Sequence, residues 1–592
     1  MSTIVSIIAL LGGIALFLYG MTLMGDGLKK VAGSKMELIL YKLTSNRFKG
    51  FSLGMAVTGV IQSSSATSIM VVGFVNSGMM KLRNAISIIL GAIVGTSVTG
   101  WIVCLSYIDS SGSGAGISSL LSTGVLTGIV SIVGILYRMF LKGHTKHRIG
   151  DILMGFAILM FGMTAMKTAV ESDALKATFT NIISSLDNPF LGILIGIAFT
   201  AVLQSASASI GILQALSMAG GMSFGSAFPI MLGVGIGASV PVLISALSAS
   251  TDGRRVAFTY LLSELFAVIF IDSWFFILHA IIGFDSIMTL EMNPFSIALM
   301  NTVVRLINMS ILLPFTSLLE RVVMKLIKGK KVVETEKTHA SIHLEERFIS
   351  YPALAIEQSR TTINEMASVA HNSLLSSLWL VNNYSEDGFG EVERLENLGD
   401  AYEDALGTYL VKITAGYLTE SQNKDVSKFL HTISDFERIS DHALNIGQTA
   451  KEIHEKSIVF SDDAKHEIEV ITNAVRDVVT TTFNAFVNND LTLAQHVEPL
   501  EELIDGICDE MKLLHINRIK QGICTLNQGF VFNDLLTNLE RVADHCSNIA
   551  VAIIELESSE VLDTHEYLND LKKANDTAYE KYYKEYADKY HI

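Results

Sequence analysis

One short phrase occurs twice in this chain, and the spacing between the copies constrains everything else. Residues 60–66 read VIQSSSA and residues 202–208 read VLQSASA, which places Gln62 and Gln204 142 residues apart. The same offset carries GIALFLYGMTLM, from Gly13, onto GFAILMFGMTAM, from Gly155, and ILGAIVGTSV, from Ile89, onto MLGVGIGASV, from Met231. A unit repeated this far without a gap should fold twice into the same elements.

The repeated unit is apolar. Stretches long enough to span a bilayer run near 3–24, 84–108, 117–140, 150–170, 225–250, 256–283 and 294–318. Segments 51–78 and 190–221, rich in Gly, Ser, Ala and Thr, are too long for one crossing and too short for two with a turn. Each is expected to form a re-entrant hairpin, a broken backbone tolerated only inside protein or beside water. No Lys or Arg precedes the first run, Thr3 to Met24, so it reads as a retained membrane helix and not as a cleaved signal.

Charge divides the chain. Residues 1–331 hold 22 Lys/Arg against 13 Asp/Glu, net +9, and residues 332–592 hold 21 against 46, net −25. A basic, apolar front and an acidic, polar back predict a membrane domain followed by a soluble one. Within the front, repeat one carries Lys29, Lys30, Lys35, Lys42, Arg47 and Lys49 after its first helix, then Lys81 and Arg83 after its hairpin. At the matching places repeat two carries Glu171, Asp173 and Asp187, then Ser223 and Gly225; its positive clusters fall at 142–148 and at Arg254 and Arg255. Positive loops stay in the cytoplasm, so the second copy should be inverted relative to the first. That threading puts the N-terminus outside, the loop at position 112 outside, position 145 inside, and the acidic half in the cytoplasm. The four cysteines, in no metal-finger spacing, suit a reducing compartment.

Inverted repeats set two broken helices face to face near the midplane, where half-helix ends can meet an anion and unwound carbonyls a cation. Gln62, Ser63, Ser64, Ser65, Thr67 and Ser68, with Gln204, Ser205, Ser207 and Ser209, supply amides and hydroxyls for such a site. The competing reading is that small residues let membrane helices pack closely. Glu264 and Arg305 lie inside apolar runs and are read either as an ion pair tying two helices or as part of the passage.

From about residue 350 the pattern becomes amphipathic and helical, without strand alternation or a Gly-rich phosphate loop. This half is duplicated too. SDFERISDHALNI, from Ser434, matches TNLERVADHCSNI, from Thr537, and VERLENLGD, from Val392, matches VEPLEELID, from Val497. Each copy contributes two carboxylate pairs at helical i, i+4 spacing: Glu396 with Asp400 and Glu437 with Asp441, then Glu501 with Asp505 and Glu540 with Asp544. Two such faces turned inward could surround a hard cation; one alone would be an ordinary solvated helix face.

The duplicated QSSSA-type phrase resembles the sodium-dependent phosphate cotransporter family, over most of 1–318, although Ala206 replaces a usual Ser. The resemblance implies that phosphate and sodium bind between the two hairpins. It also marks departures: the family's downstream pattern resembles GANIGTT, whereas Ile93 and Gly235 stand here at its amide position. Tyr260, Glu264, Asn301 and Arg305 replace residues that are commonly His and Asn. The back half resembles PhoU, a phosphate-regulatory protein of tandem three-helix bundles with an E(D)xxxD metal motif, which implies iron or another divalent metal on the eight carboxylates named above.

The expected fold is therefore all-α: a polytopic membrane domain of two inverted repeats with re-entrant hairpins (about 3–140 and 150–283), a final helix at 294–318, a linker at 319–349, a PhoU-like tandem helical bundle at 350–560 and an acidic helical tail at 561–592. The expected function is secondary transport of inorganic phosphate coupled to sodium across the plasma membrane, in the lipid bilayer, with a regulatory cytoplasmic domain and room for a homodimer. A membrane-anchored phosphate-responsive regulator with weak or no coupled transport is the alternative. Neither an enzyme nor a nucleic-acid binder is expected: no nucleophile–base pair, Walker loop or catalytic zinc pattern is present.

Overall fold

A computed structural model describes residues 2–42, 46–105, 123–170, 172, 188–218, 222–328, 342, 344–416, 418–557 and 577–592. The loops assigned above to the outer side, around position 112 and over 173–187, lie outside them, as do residues 329–341 and 343 of the linker and residues 561–576. The chain divides into two units, Met1–Glu336 and Lys337–Ile592. Among the described residues both are helical, with a single isolated β-bridge, Ser223 to Glu291.

In the first unit the helix boundaries repeat with the sequence. Helices α1 (Ser2–Lys42), α2 (Arg47–Ile61), α3 (Ser64–Asn76), α4 (Leu82–Gly95), α5 (Ser97–Cys104) and α6 (Thr123–Met139) are followed by α7 (His144–Val170), α8 (Pro189–Leu203), α9 (Ala206–Ser217), α10 (Phe224–Gly237) and α11 (Val240–Ser245). Adding 142 to the limits of α2 and α4 gives the limits of α8 and α10. Even the caps match, since Asn46 and Asn188 each accept the amide of the second residue beyond.

Glycine lets these helices touch backbone to backbone. A Cβ on Gly91 would come within 1.9 Å of the Phe51 carbonyl oxygen, and one on Gly233 within 2.0 Å of that of Ile193, the equivalent contact. Side-chain-free crossings of this kind are how membrane helices gain dispersion contact when lipid offers no hydrophobic drive. Along α1 and α7, Gly13 meets Met166, Gly20 meets Leu159 and Gly27 meets Ile152, so these equivalent helices run antiparallel. The reciprocal contacts, Gly155 with Met24 and Gly162 with Phe17, are the same pairs exchanged between copies.

After the repeats, α12 (Thr251–Phe266) passes through a π-helical segment, Ala267–Asp272, into α13 (Ser273–Ile282). The last apolar element is longer than the 294–318 expected. Helix α14 (Pro294–Leu312) continues past a 3-10 turn at Leu313–Phe315, set by Pro314, into α15 (Thr316–Leu326), so the first part of the expected linker is helix. Six helical stretches are long and apolar enough to cross a membrane, and α3, α6, α8 and α9 are shorter apolar helices.

The second unit holds two three-helix bundles. The first comprises α16 (Pro352–Leu380), α17 (Glu386–Thr414) and α18 (Glu420–Glu455); the second comprises α19 (Asp462–Asn488), α20 (Val497–Lys520) and α21 (Leu526–Glu557). Apolar faces such as Ile363, Met366 and Leu374 on α16 are buried, as helical periodicity requires. The tail is nearly balanced in charge, with 7 Asp/Glu against 5 Lys over 561–592. Its described helix, α22 (Thr577–Lys589), docks by contacts and not by charge alone. Tyr586 bonds His496 Nδ1 at 3.1 Å, the Tyr582 ring lies on the His496 ring, and Lys589 and Tyr590 meet Asp477.

Candidate functional site

Each Gln–Ser phrase folds as a helix, a two-residue break and a second helix. Gln62 ends α2 with φ 61° and Gln204 ends α8 with φ 54°, both left-handed. Non-glycine residues rarely adopt that conformation, and it is costly without a structural return. The next residue caps the following helix: Ser63 Oγ accepts the Ala66 amide at 3.1 Å and Ser205 Oγ accepts that of Ala208 at 3.2 Å. A hydroxyl bridge then closes each turn. Thr58 donates to Thr67 at 3.0 Å, and Thr200 donates to Ser209 at 2.9 Å. Thr67 and Ser209 in turn donate to the carbonyls of Ser63 and Ser205, each at 3.1 Å. Ser63, Ser205, Thr67 and Ser209 thus build the turns.

The copies diverge in what surrounds the amides. Thr99, on α5, donates to Gln62 Oε1 at 2.7 Å, and its hydroxyl is 3.3 Å from Ser207 Oγ of the other repeat. Gln62 also donates to the Gly59 carbonyl and is 8% exposed. The residue equivalent to Thr99 is Pro241, which has no hydroxyl; Gln204 is exposed and makes no side-chain hydrogen bond among the described residues. Ser64 lies 3.3 Å from the Tyr260 hydroxyl, a bond repeat two cannot make because Ala206 takes its place. Ser68 is buried with its hydroxyl unpaired. The structure therefore joins Gln62 to Ser207 through Thr99, and leaves Gln204 apart from them.

Beside these turns lies a buried ion pair. Arg305 donates to Glu264 at 3.2 Å and to Asn301 Oδ1 at 2.8 Å, and approaches the Ile93 carbonyl at 3.5 Å. A Cβ on Gly235 would be 2.4 Å from a Glu264 oxygen, so the carboxylate occupies the space a side chain there would need. Ile93 and Gly235 are equivalent repeat positions. The Glu264–Arg305 pair is thus framed by the two repeats at the same place in each.

In the second unit, Glu396, Asp400 and Asp441 converge in the first bundle, and Glu501, Asp505 and Asp544 in the second, each trio placing one oxygen per residue within 4.8 Å of the others. Glu437 and Glu540 stand outside these trios; Glu540 is paired with Lys512 at 2.7 Å. Burial and then neighbouring carboxylates push Glu501 up to about 8 and Asp505 up to about 7. In the first bundle, burial and then Asp441 push Glu437 up to about 7. Asp505 Oδ1 is buried with no hydrogen-bond partner. His442 and His545 bond Asn538 and Asp435 at 2.9 and 3.0 Å and stack on each other, so neither joins a trio.

Three features escaped the sequence reading. Thr58 and Thr200 lie upstream of the phrase and announce themselves only by their shared offset. Thr99 gains meaning only when its counterpart is seen to be Pro241. Asp272, buried on the π-helical segment with Asn308 donating to it at 3.0 and 3.3 Å, sits where a regular helical period gives no signal.

Two family models match the chain: Na+/Pi-cotransporter over 16–168 and 158–293, and PhoU domain over 363–450 and 468–553. The "Putative inorganic phosphate export protein YjbB" of Escherichia coli (strain K12) is 20% identical over 559 residues, 93% of this chain and 98% of its own length. The "Uncharacterized protein YqeW" of Bacillus subtilis (strain 168) is 26% identical over 54% of this chain and 97% of its own. The "Sodium-dependent phosphate transport protein 2A" of Rattus norvegicus is 35% identical over 16% of this chain and 15% of its own length. Among solved structures, PhoU from Pseudomonas aeruginosa aligns with a TM-score of 0.32 at 20% identity, over 34% of this chain and 95% of that one. The chain belongs to the Na+/Pi-cotransporter family through its duplicated membrane unit, to which a twice-repeated PhoU domain is joined.

Proposed function

We propose that this chain moves inorganic phosphate across the plasma membrane by alternating access, coupled to sodium, and that its PhoU-type bundles, in the cytoplasm, regulate the passage. The observation that carries the reading is the Thr99 hydroxyl, which links Gln62 of one repeat to Ser207 of the other. A contact between two broken helices is where inverted repeats place a substrate, with helix N-termini for the anion and unpaired carbonyls for a cation. Gln62, Ser64, Ser65 and Ser207 would orient phosphate, and Gln204 would serve the same task from the opposite turn. The antiparallel crossing of α1 and α7 supports an inverted relation of the repeats. The Lys and Arg clusters of repeat one support a cytoplasmic second unit. The full-length relative's name favours export as the direction of flux.

The two carboxylate trios would hold a divalent cation or iron, which would neutralise them and brace the bundles. The donor set fits: three convergent oxygens per bundle and, in the second, an orphaned Asp505 oxygen that hydrogen bonding leaves unused.

Purified full-length protein in sealed vesicles tests the transport reading. An imposed sodium gradient should drive phosphate across the membrane, and replacing sodium with choline should abolish the flux. Vesicles that bind phosphate but never move it would favour the regulator without transport.

A further inference from the structure

Two carboxylates and one cation are buried along the same line of helices. Glu264 is 5% exposed, Asp272 is 6% and Arg305 is 4%. Arg305 spends its guanidinium on Glu264, Asn301 and the Ile93 carbonyl. Among the described residues, Asp272 receives hydrogen bonds only from the neutral amide of Asn308, one turn further along α14. The charged neighbour acting on it is Glu264, a like charge. His279, two turns on, accepts the Phe284 amide and takes no part. A buried ionised carboxylate served by one amide, with a second carboxylate nearby, is strongly unfavourable unless something positive joins it.

The backbone is arranged to put Asp272 there. In a regular α-helix a residue eight positions after Glu264 would point about 80° away from it. The π-helical segment Ala267–Asp272 absorbs an extra residue and returns Asp272 to the inward face, while Ile269 and Phe270 stay more than half exposed on the other side. Such insertions recur at functional sites because they re-aim one side chain at the expense of regular hydrogen bonding.

We propose that Asp272, oriented by Asn308, binds the monovalent cation that is carried with the substrate, a proton or sodium, at a site separate from the Gln–Ser turns. The coupling role rests on the transport reading above; the binding itself does not. When the cation is absent, the unpaired charge disfavours the packed arrangement of the π-segment against α14. When it is present, that arrangement closes, so occupancy and conformation are linked.

The full-length chain in detergent tests this without phosphate flux. Its thermal stability is measured in sodium chloride against choline chloride, and its protonated-carboxyl infrared band is titrated with pH, for wild type and Asp272→Asn. If the ion is sodium, sodium should stabilise wild type and leave Asp272→Asn unmoved. If it is a proton, the wild-type titration should contain a component missing from Asp272→Asn. Asn308→Leu, which keeps the carboxylate and removes its amide, should shift the midpoint of whichever dependence is found by about fivefold in cation concentration. The inference falls if wild type and Asp272→Asn coincide in both measurements. Should Asp272→Asn fail to fold, an unchanged midpoint in Asn308→Leu overturns it. An Asp272-dependent cation effect in a protein that moves no phosphate would leave the site standing and remove the transport reading.

Discussion

The turn at Gln62 and the turn at Gln204 share a skeleton and differ in their company. Both use a left-handed Gln, a Ser cap and a hydroxyl bridge, with distances that agree to about 0.1 Å. Yet Gln62 is buried on Thr99, and Gln204, in the copy where Pro241 replaces that threonine, is exposed. Duplication has held fixed what the backbone needs and released what the side chains do. A transporter of this design needs that asymmetry, because two identical half-sites closed at once would give the substrate no way out.

The comparison is broken most severely at the glycine crossings. Gly91→Ala and Gly233→Ala each push a methyl group against a backbone carbonyl that cannot swing aside. Rotamer changes cannot relieve either clash, so the cost should exceed the usual overpacking range of about 1–3 kcal/mol. Both variants should lose most of the monodisperse folded protein recovered from membranes, and to a similar extent. Gly12→Ala, with nothing within 4 Å of its added carbon, should be recovered normally. Loss from one crossing only would show that the repeats do not share their scaffold.

Next in size is the pair of amides. Substitution by glycine keeps each turn, because glycine adopts a positive φ at no steric cost, and removes only the amide. Gln62→Gly deletes the buried hydrogen bond from Thr99, the residue that reaches across to Ser207 of the other repeat, so phosphate flux in vesicles should fall by about tenfold or more at normal expression, with about 1 kcal/mol attributable to the lost bond. Gln204→Gly should reduce flux less in the direction that begins from the arrangement described here. Equal and negligible effects would return both residues to a packing role.

Much of this was open to a reader of the sequence, and the reasons for the rest are physical. The offset of 142 predicts the helix limits because each cap and breaker was copied with its helix. The carboxylate faces were legible because four residues make one helical turn, and the structure converges three of the four expected carboxylates in each bundle. Lys512 could not be foreseen as the partner of Glu540, because it comes from another helix at no fixed spacing. Asp272 was hidden for the opposite reason: periodicity assumes 3.6 residues per turn, and the π-segment departs from it where the carboxylate turns inward.

The bundles offer the mildest sharpening of the comparison, since their two trios differ in environment as the two turns do. Burial and the neighbouring Glu498 and Asp505 raise Glu501 from an ordinary 4.5 to about 8. A carboxyl raised on folding gives stability that is present in full below the unfolded value and is lost as pH climbs through the folded one. In metal-free Lys337–Ile592, Glu501→Gln should therefore match wild type near pH 4.5 and melt above it by about 2–4 °C at pH 8. A divalent cation reverses the order at pH 8, because it binds the ionised trio of the wild type and has lost a ligand in the variant. The equivalent Glu396→Gln should show the same signs with a smaller amplitude, since Glu396, also raised by burial and then by Asp400 and Asp441, is less buried. Melting curves with chelator and then with manganese, at the two pH values, read this directly. If Glu501→Gln is no more stable than wild type at pH 8 without metal, Glu501 is ionised and solvated in the fold, and the second trio is not the strained site its geometry indicates.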